Sequence, residues 1–338
     1  MRKKVKWGIL GAANIARQQM IPAIEQSEDG LVHAIASKSG KAEEFASEFN
    51  IPNVFNDYNE LIQFEEIDAV YIALPNSLHK EWIEKAVAAR KHVLCEKPIV
   101  MEENELARIF DFSNKRKVHV MEAFMYRFHP HIGEAKKMLD EKIIGEILTI
   151  RSRFHFTIEN KQKDIRMQRN LGGGVIWDIG CYSLNAMLEL VGEEPAEIQV
   201  MTGRRDQVDT HISFQLGFPN SVLGIADCSF YGPMTQGIDI IGTEGTMCLP
   251  YAFRPDLNKD TGVIELRLNE EIQRFEFTGN SYVYQVNAFQ NTICRNTELP
   301  YTQQQMLQHT RVLQKIQKTL KEIKIEGEDH VGANHIRT

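Results

Sequence analysis

Cys95-Glu96-Lys97-Pro98 places an ionisable amine directly after a short apolar run, His92-Val93-Leu94-Cys95. Such a run reads as a buried strand, and Pro98 prevents a simple continuation into helix, so Lys97 belongs to a turn at a strand end. Further along, Leu171-Gly172-Gly173-Gly174-Val175-Ile176-Trp177-Asp178-Ile179-Gly180-Cys181-Tyr182 supplies partners for it. The glycines permit close backbone approach, and Asp178 and Tyr182, at i and i+4, share a face if a helix begins there. A nearby ammonium favours phenolate and lowers a phenol pKa from its ordinary ~10, which makes Lys97 and Tyr182 a proton-transfer pair. Taken alone, Tyr182 reads first as an interior aromatic; the combination with Lys97 favours chemistry.

A second set of residues suits a nucleotide. The first apolar run enters Gly8-Ile9-Leu10-Gly11-Ala12-Ala13-Asn14-Ile15-Ala16, where Gly11, Ala13 and Ala16 fill the positions of a G-x-G-x-x-G/A fingerprint. The first position allows the tight turn, the second lets backbone approach a pyrophosphate, and the third lets helix pack on strand. Alanine at the second position is bulkier and pushes the phosphates outward. A ligand-free strand–turn–helix fits the same letters, but the start of a βαβ pattern favours the nucleotide. After the second strand, Ala36-Ser37-Lys38-Ser39-Gly40-Lys41 lacks the carboxylate that binds an NAD ribose. A hydroxyl followed by a cation suits a 2′-phosphate, so NADP(H) is expected over NAD(H); the plainer alternative is that Lys38 and Lys41 are solvated loop lysines. Leu74-Pro75-Asn76-Ser77-Leu78-His79 lies at another strand end. There Ser77 suits a helix N-cap, and Asn76 and His79 either face the cofactor or serve as cap and surface residue.

These groups need a scaffold, and the first half supplies a parallel sheet wrapped by helices. Strands are expected at Lys6–Leu10, Leu31–Ala36, Ala69–Ala73, His92–Cys95 and Val118–Met121, and helices at Ile15–Glu25, Lys41–Phe49, His79–Ala89 and Glu102–Lys115. That gives an α/β Rossmann domain over 1–123. The remainder, 124–338, reads as an α+β domain with a large, mostly antiparallel open sheet. Its expected elements are a helix at His131–Asp140, a strand at Ile147–Phe156, a helix at Asp178–Val191 and alternating segments from Glu197 to Phe277. A last helix at Gln303–Lys321 presents Met306, Val312, Leu313, Ile316 and Leu320 on one face for docking, and the polar tail beyond Gly327 is expected to be loose. Phe154-His155-Phe156 reads first as a strand with two inward aromatics and second as a pocket wall. His129-Pro130-His131 finds no further Cys or His ligands nearby, so no metal is expected.

With 338 residues, of which 43% are hydrophobic and 25% charged, the chain is long enough for two cores. A formal charge of -7 leaves no electrostatic footprint for nucleic acid. Five scattered cysteines without a CxxC pair suit reduced thiols in a cytoplasm. The apolar run after the basic N-terminus is a strand's length, so neither an export signal nor a membrane span is expected.

Taken in order, the Gly8–Ala13 run, Glu96-Lys97-Pro98 and Gly172-Gly173-Gly174 leading to Asp178 and Tyr182 resemble the glucose–fructose oxidoreductase/inositol dehydrogenase family across nearly the whole chain. Met121-Glu122-Ala123-Phe124-Met125-Tyr126-Arg127-Phe128-His129-Pro130 is most similar to its dimeric dihydrodiol dehydrogenase and NADP-dependent D-xylose dehydrogenase branch. The resemblance implies hydride transfer between NADP(H) and a hydroxyl or hemiacetal carbon of a sugar, polyol or dihydrodiol. It implies Lys97, at a cis Lys-Pro bond, and Tyr182 as catalytic residues, with Asp178 orienting substrate or cofactor. Gly8, Gly11, Ala12, Ala13, Asn14, Ile15, Ser37, Lys38, Leu74, Asn76, His79, Glu96, Lys97 and Arg127 are the expected cofactor contacts. Lys97, Phe154, Phe156, Asp178 and Tyr182 are the expected substrate pocket. Tyr182 stands where the inositol branch has a histidine, which argues against inositol-type substrates. The rival from another class is a non-catalytic NADP-binding sensor on the same scaffold; retention of both lysine and tyrosine favours the enzyme. A homodimer or dimer of dimers is expected, formed through a bare apolar face of the open sheet.

Overall fold

The computed structural model describes residues 4–204 and 207–328. Short apolar stretches rich in Val, Ile and Ala form the strands of a six-stranded parallel sheet. They are β1 (Val5–Leu10), β2 (Gly30–Ala36), β3 (Asn53–Phe55), β4 (Ala69–Ile72), β5 (His92–Cys95) and β6 (Val120–Glu122). Their spatial order, β3-β2-β1-β4-β5-β6, puts the reversal of strand order between β1 and β4, where the carboxyl ends open a crevice for ligands. Between the strands run α1 (Ile21–Gln26), preceded by a wide i→i+5 turn at Ala16–Met20, α2 (Ala42–Phe49), α3 (Tyr58–Gln63), α4 (His79–Ala88) and α5 (Glu103–Arg116).

The second half begins with α6 (Pro130–Asp140) and β7 (Ile147–His155), and continues through a second wide turn at Ile176–Gly180 into α7 (Cys181–Val191). Six more strands complete an eight-stranded sheet with β7: β8 (Glu197–Arg204), β9 (Asp209–Gly217), β10 (Leu223–Ser229), β11 (Thr235–Gly242), β12 (Gly245–Leu249) and β13 (Thr261–Leu268), with β14 (Glu271–Thr278) at its edge. The order is β14-β13-β12-β11-β7-β10-β9-β8, antiparallel except that β10 runs parallel to β7. One face is covered: Ile150, Phe154, Ile212, Phe214, Ala226 and Ile240 are buried, and α6 and α7 pack over that side.

The other face corrects the expectation of a bare apolar surface. Strand alternation turns Arg153 towards Asp239 as an ion pair, and Asp227 towards His155 and His211 at 3.0 and 2.9 Å. Exposed Met201, Leu223 and Ile272 are scattered among them. The face is mixed because its outward positions carry charged residues such as Arg153, Asp227 and Asp239 beside those apolar ones.

α8 (Ser281–Arg295) and α9 (Gln303–Glu328) return to the first sheet. Gln290 of α8 donates to Ser27 Oγ at 3.0 Å. On α9, Arg311 pairs with Glu103 at 2.8 Å and Gln314 accepts from Glu103 N at 3.1 Å. α8 was not expected from the sequence, since Ser281-Tyr282-Val283-Tyr284-Gln285-Val286 is rich in strand-forming types. Its helical signals are the Asn280 cap, whose Oδ1 accepts from Tyr282 N and Val283 N, and the buried Tyr282, Val286 and Phe289 at helical spacing. β3 and α3 were also unexpected, and α9 runs beyond Lys321. The tail from 329 lies outside the described residues.

Candidate active site

β1 delivers the chain to Gly11, whose φ of +102° is left-handed. A Cβ there would stand 2.4 Å from Ala73 O, so the position takes glycine alone. Leu74, itself buried, walls this turn. Ala12, Ala13 and Ile15 are partly buried and Asn14 is exposed, leaving backbone N–H groups accessible at a helix start. At the end of β2, Ser37 Oγ lies 2.8 Å from Ser39 Oγ, and exposed Lys38 sits 5.3 Å from the Tyr58 ring centroid. An accessible glycine turn flanked by a hydroxyl and a cation fits a dinucleotide carrying a 2′-phosphate.

Four expected cofactor contacts have structural roles. Gly8 lies inside β1, where a Cβ would come 2.5 Å from Leu61 Cδ2; it lets α3 pack. His79 is fully buried, with Nδ1 2.8 Å from Pro98 O and Nε2 2.9 Å from Leu74 O, so it braces the turn that carries Lys97. Burial pushes its pKa down even though both carbonyls pull upward. Asn76 donates to Gly172 O at 2.9 Å, joining the first half to the glycine run. Arg127 is turned into a buried polar cluster, where Nη1 donates to Asn185 Oδ1 at 3.0 Å and Nη2 pairs with Glu189 over the Tyr301 ring. That cluster opens into a different cavity, beside Gln305 and His309.

The reactive groups converge from both halves. Lys97 follows β5 and precedes a cis bond to Pro98. Its Nζ donates to Asp178 Oδ1 and to Asp178 O, both at 2.8 Å. Asp178 Oδ2 accepts from Arg166 Nε at 2.8 Å. Gly174, at φ +127°, allows the Asp209 carboxylate to approach, and Asp209 Oδ2 accepts from Ile176 N at 3.0 Å, anchoring the start of the helix that bears Asp178. Glu122 Oε1 accepts from Ile99 N at 2.9 Å and holds the far side of the Lys97 turn.

Burial alone would lower the Lys97 pKa and raise that of Asp178, but their mutual attraction reverses both, with Glu96 adding to the rise of Lys97 and Arg166 to the fall of Asp178. Lys97 is therefore an ammonium and Asp178 a carboxylate. Beside them, Glu96 accepts from Tyr71 OH at 2.5 Å, and burial raises its pKa.

Tyr182 corrects the sequence argument about its acidity. The Lys97 ammonium lies 5.2 Å from the ring centroid, yet its charge is matched by Asp178. Burial raises the phenol pKa well above its ordinary value, with nearby Tyr282 and Glu96 adding to the rise. The ring is held edge-on by Phe124 at 5.1 Å and by Phe253 at 5.7 Å, while its hydroxyl has a weak acceptor, Met125 Sδ at 3.5 Å. At neutral pH the group is a proton donor.

All five expected pocket residues, Lys97, Phe154, Phe156, Asp178 and Tyr182, line one cavity of about 230 Å³ that Ile15 and Glu96 also border. The sequence did not disclose that Arg254, Met234 and Tyr282 complete it. The Asn280 cap was the available signal for Tyr282; Arg254 had none. His129 and His131 are buried with Nδ1 atoms 2.6 Å apart, turned to each other. Among the described residues no group of three or more His, Cys, Asp or Glu is arranged to hold a metal ion.

A Rossmann sheet joined to an open sheet, with lysine, carboxylate and phenol between them, defines a dinucleotide-dependent oxidoreductase architecture. The chain belongs to the GFO/IDH/MocA oxidoreductase family: residues 5–124 match the model for the oxidoreductase family, NAD-binding Rossmann fold, and residues 132–248 the model for the GFO/IDH/MocA C-terminal domain. It is 33% identical to a D-xylose 1-dehydrogenase (NADP(+)) of Haloferax volcanii, over 85% of this chain and 88% of that protein. It is 29% identical to a trans-1,2-dihydrobenzene-1,2-diol dehydrogenase of Danio rerio, over 73% and 74%. Among solved structures, a 3-ketoreductase from Actinomadura kijaniata in complex with NADP and TDP-benzene superposes with a TM-score of 0.86 at 27% identity, over 94% of this chain and 98% of that one.

The shared ion pair yields a stability test. Lys97→Met leaves Asp178 with Arg166 alone and is expected to cost up to ~3 kcal/mol, measured by urea denaturation. Lys97→Met combined with Asp178→Asn should regain most of that stability. Equal stability of the single variant and the parent would show the pair to be energetically idle.

Proposed function

We propose that the protein transfers a hydride between NADP(H) and the hydroxyl or hemiacetal carbon of a sugar, polyol or dihydrodiol. The observation that carries this reading is the Lys97–Asp178 pair at 2.8 Å beside the Tyr182 ring, in a cavity that Ile15 of the glycine turn also borders. Backbone from Gly11 to Ile15 would hold the pyrophosphate, and Ser37 and Lys38 the 2′-phosphate; the NADP named for the D-xylose dehydrogenase and bound in the 3-ketoreductase supports that preference. The nicotinamide, when bound, supplies or accepts the hydride.

The chain's own residues manage the proton and the oxygen. Lys97 has three donors, of which two are engaged by Asp178, so the third is free for the substrate oxygen. Asp178 and Arg166 fix where that donor points. In reduction, the neutral Tyr182 phenol gives its proton to the carbonyl oxygen as it becomes an alcohol; in oxidation, the phenolate takes the hydroxyl proton. Because the phenol pKa is raised, the protonated form predominates at neutral pH, so reduction is sustained there and oxidation speeds up as pH rises. Tyr182→Phe should lower kcat/KM by ~10²–10⁴-fold in both directions and abolish the alkaline rise, followed at the nicotinamide absorbance with D-xylose as probe. A variant with near-parental kcat/KM would remove Tyr182 from the mechanism, and tight NADPH binding with no turnover of sugars, polyols or dihydrodiols by the parent would favour a sensor.

For the cofactor, Lys38→Ala is expected to raise the KM for NADP about tenfold, equivalent to ~1.4 kcal/mol, and to leave that for NAD unchanged. Equal effects on both would reassign Lys38 to the loop alone.

The two sheets support a division into a cofactor domain, 1–123, and a substrate and oligomerisation domain, 124–338. No helix among the described residues is long and apolar enough to cross a membrane. The free cysteines support a reducing, cytoplasmic setting. The outer face of the eight-stranded sheet, with ion pairs around Met201 and Leu223, has the mixed composition of a subunit interface. A homodimer is therefore expected by light scattering at micromolar concentration, and a monomeric mass would exclude it.

A further inference from the structure

One cationic side chain in the cavity has no part in the chemistry described so far. Arg254 stands in the connection between β12 and β13 and lines the same cavity as Tyr182 and Lys97. Its guanidinium is gripped side-on by Asp256, with Nε 2.8 Å from Oδ1 and Nη2 2.7 Å from Oδ2. Its backbone is held as firmly. Gln236, buried on β11, accepts from Phe253 N at 3.0 Å and from Arg254 N at 2.8 Å, and donates to Arg254 O at 3.2 Å. Phe253 stacks on Phe154 at 5.3 Å and meets the Tyr182 ring at 5.7 Å, so the arginine and the reactive phenol share one wall.

This arrangement leaves a defined part of the guanidinium available. The Asp256 fork occupies the Nε–Nη2 edge, and Nη1 has no hydrogen-bond partner among the described residues. A donor immobilised beforehand loses little conformational freedom when it meets a ligand. Charge narrows the ligand further. Lys97 faces Asp178, Arg166 faces Asp178 and Asp164, and Arg254 faces Asp256. Each cation of the cavity already has a carboxylate, so an anionic ligand would meet carboxylates without an unmatched cation to offset them. A hydroxyl or ring oxygen meets no such opposition.

We infer that Arg254 is a specificity-determining residue that donates from Nη1 to a neutral oxygen of the substrate remote from the reacting carbon, and that the substrate is an uncharged polyhydroxylated molecule rather than a sugar acid or sugar phosphate. The inference rests on the sugar-type oxidoreductase reading and names the substrate class of that site.

Calorimetry on the NADPH-saturated protein tests it with D-xylose and D-glucuronate as probes. The parent should bind D-xylose at least ~10-fold more tightly than D-glucuronate. Arg254→Met and Arg254→Lys should each weaken D-xylose binding ~10-fold or more while NADPH binding stays within about twofold. Asp256→Asn leaves the guanidinium unmatched and should bring D-glucuronate to within roughly threefold of D-xylose. Undiminished D-xylose binding by both Arg254 variants, or parental binding of D-glucuronate as tight as that of D-xylose, overturns the proposal and leaves the oxidoreductase reading intact. NADPH binding with no sugar, polyol or dihydrodiol bound by the parent overturns that reading, and the Arg254 proposal falls with it.

Discussion

The ion pair between Lys97 and Asp178 is the constraint around which the rest of the molecule is arranged. Each charge lies at the edge of a different half of the protein, and each is largely withdrawn from water. A buried ammonium and a buried carboxylate tolerate that position only together, so the two halves must meet at one spacing. The neighbouring contacts serve that meeting. His79 and Glu122 hold the turn that carries the lysine, Asp209 holds the start of the aspartate's helix, and Asn76 bonds across to the glycine run.

The same pair explains the character of Tyr182. A lysine beside a tyrosine suggests a lowered phenol pKa, and that holds where the lysine's field is unopposed. Here a carboxylate 2.8 Å from the ammonium cancels most of that field at the ring, and desolvation by five aromatic or apolar neighbours decides the outcome. The phenol is thus a reluctant base and a ready acid, which suits the delivery of a proton to a carbonyl oxygen.

How much of this was legible in the sequence depends on the kind of signal. The strand ends of the first sheet were readable because buried parallel strands are short apolar runs, and glycine or proline marks where each stops. Lys97, Asp178 and Tyr182 were found because they follow such marks. His79 is expected in the cofactor cleft because polar residues at strand ends usually face ligands, and Arg127 because of the family resemblance; only the packing shows them turned to main-chain carbonyls and to Glu189. Arg254 and Tyr282 were invisible for another reason: they reach the cavity from a loop and a helix distant along the chain, and α8 is written in residues that favour strand. The mixed outer face of the second sheet is not legible from composition alone, because it depends on which alternate residues, such as Arg153, Asp227 and Asp239, share a side.

The polypeptide crosses between the two sheets more than once. α8 binds Ser27, α9 binds Glu103, and Met306 Sδ accepts from Glu122 N at 3.3 Å directly behind the Lys97 turn. The C-terminal helices thus belong to both halves, since α9 also places His309 3.1 Å from Cys181 O and pairs Arg311 with Glu194. Such a molecule is poorly suited to evolve by exchange of whole domains, because a transplanted second half would take away the helices that brace the first. New substrate preferences are more readily reached by changing the connection between β12 and β13 and the opening turn of α8, where side chains enter the cavity without carrying the junction.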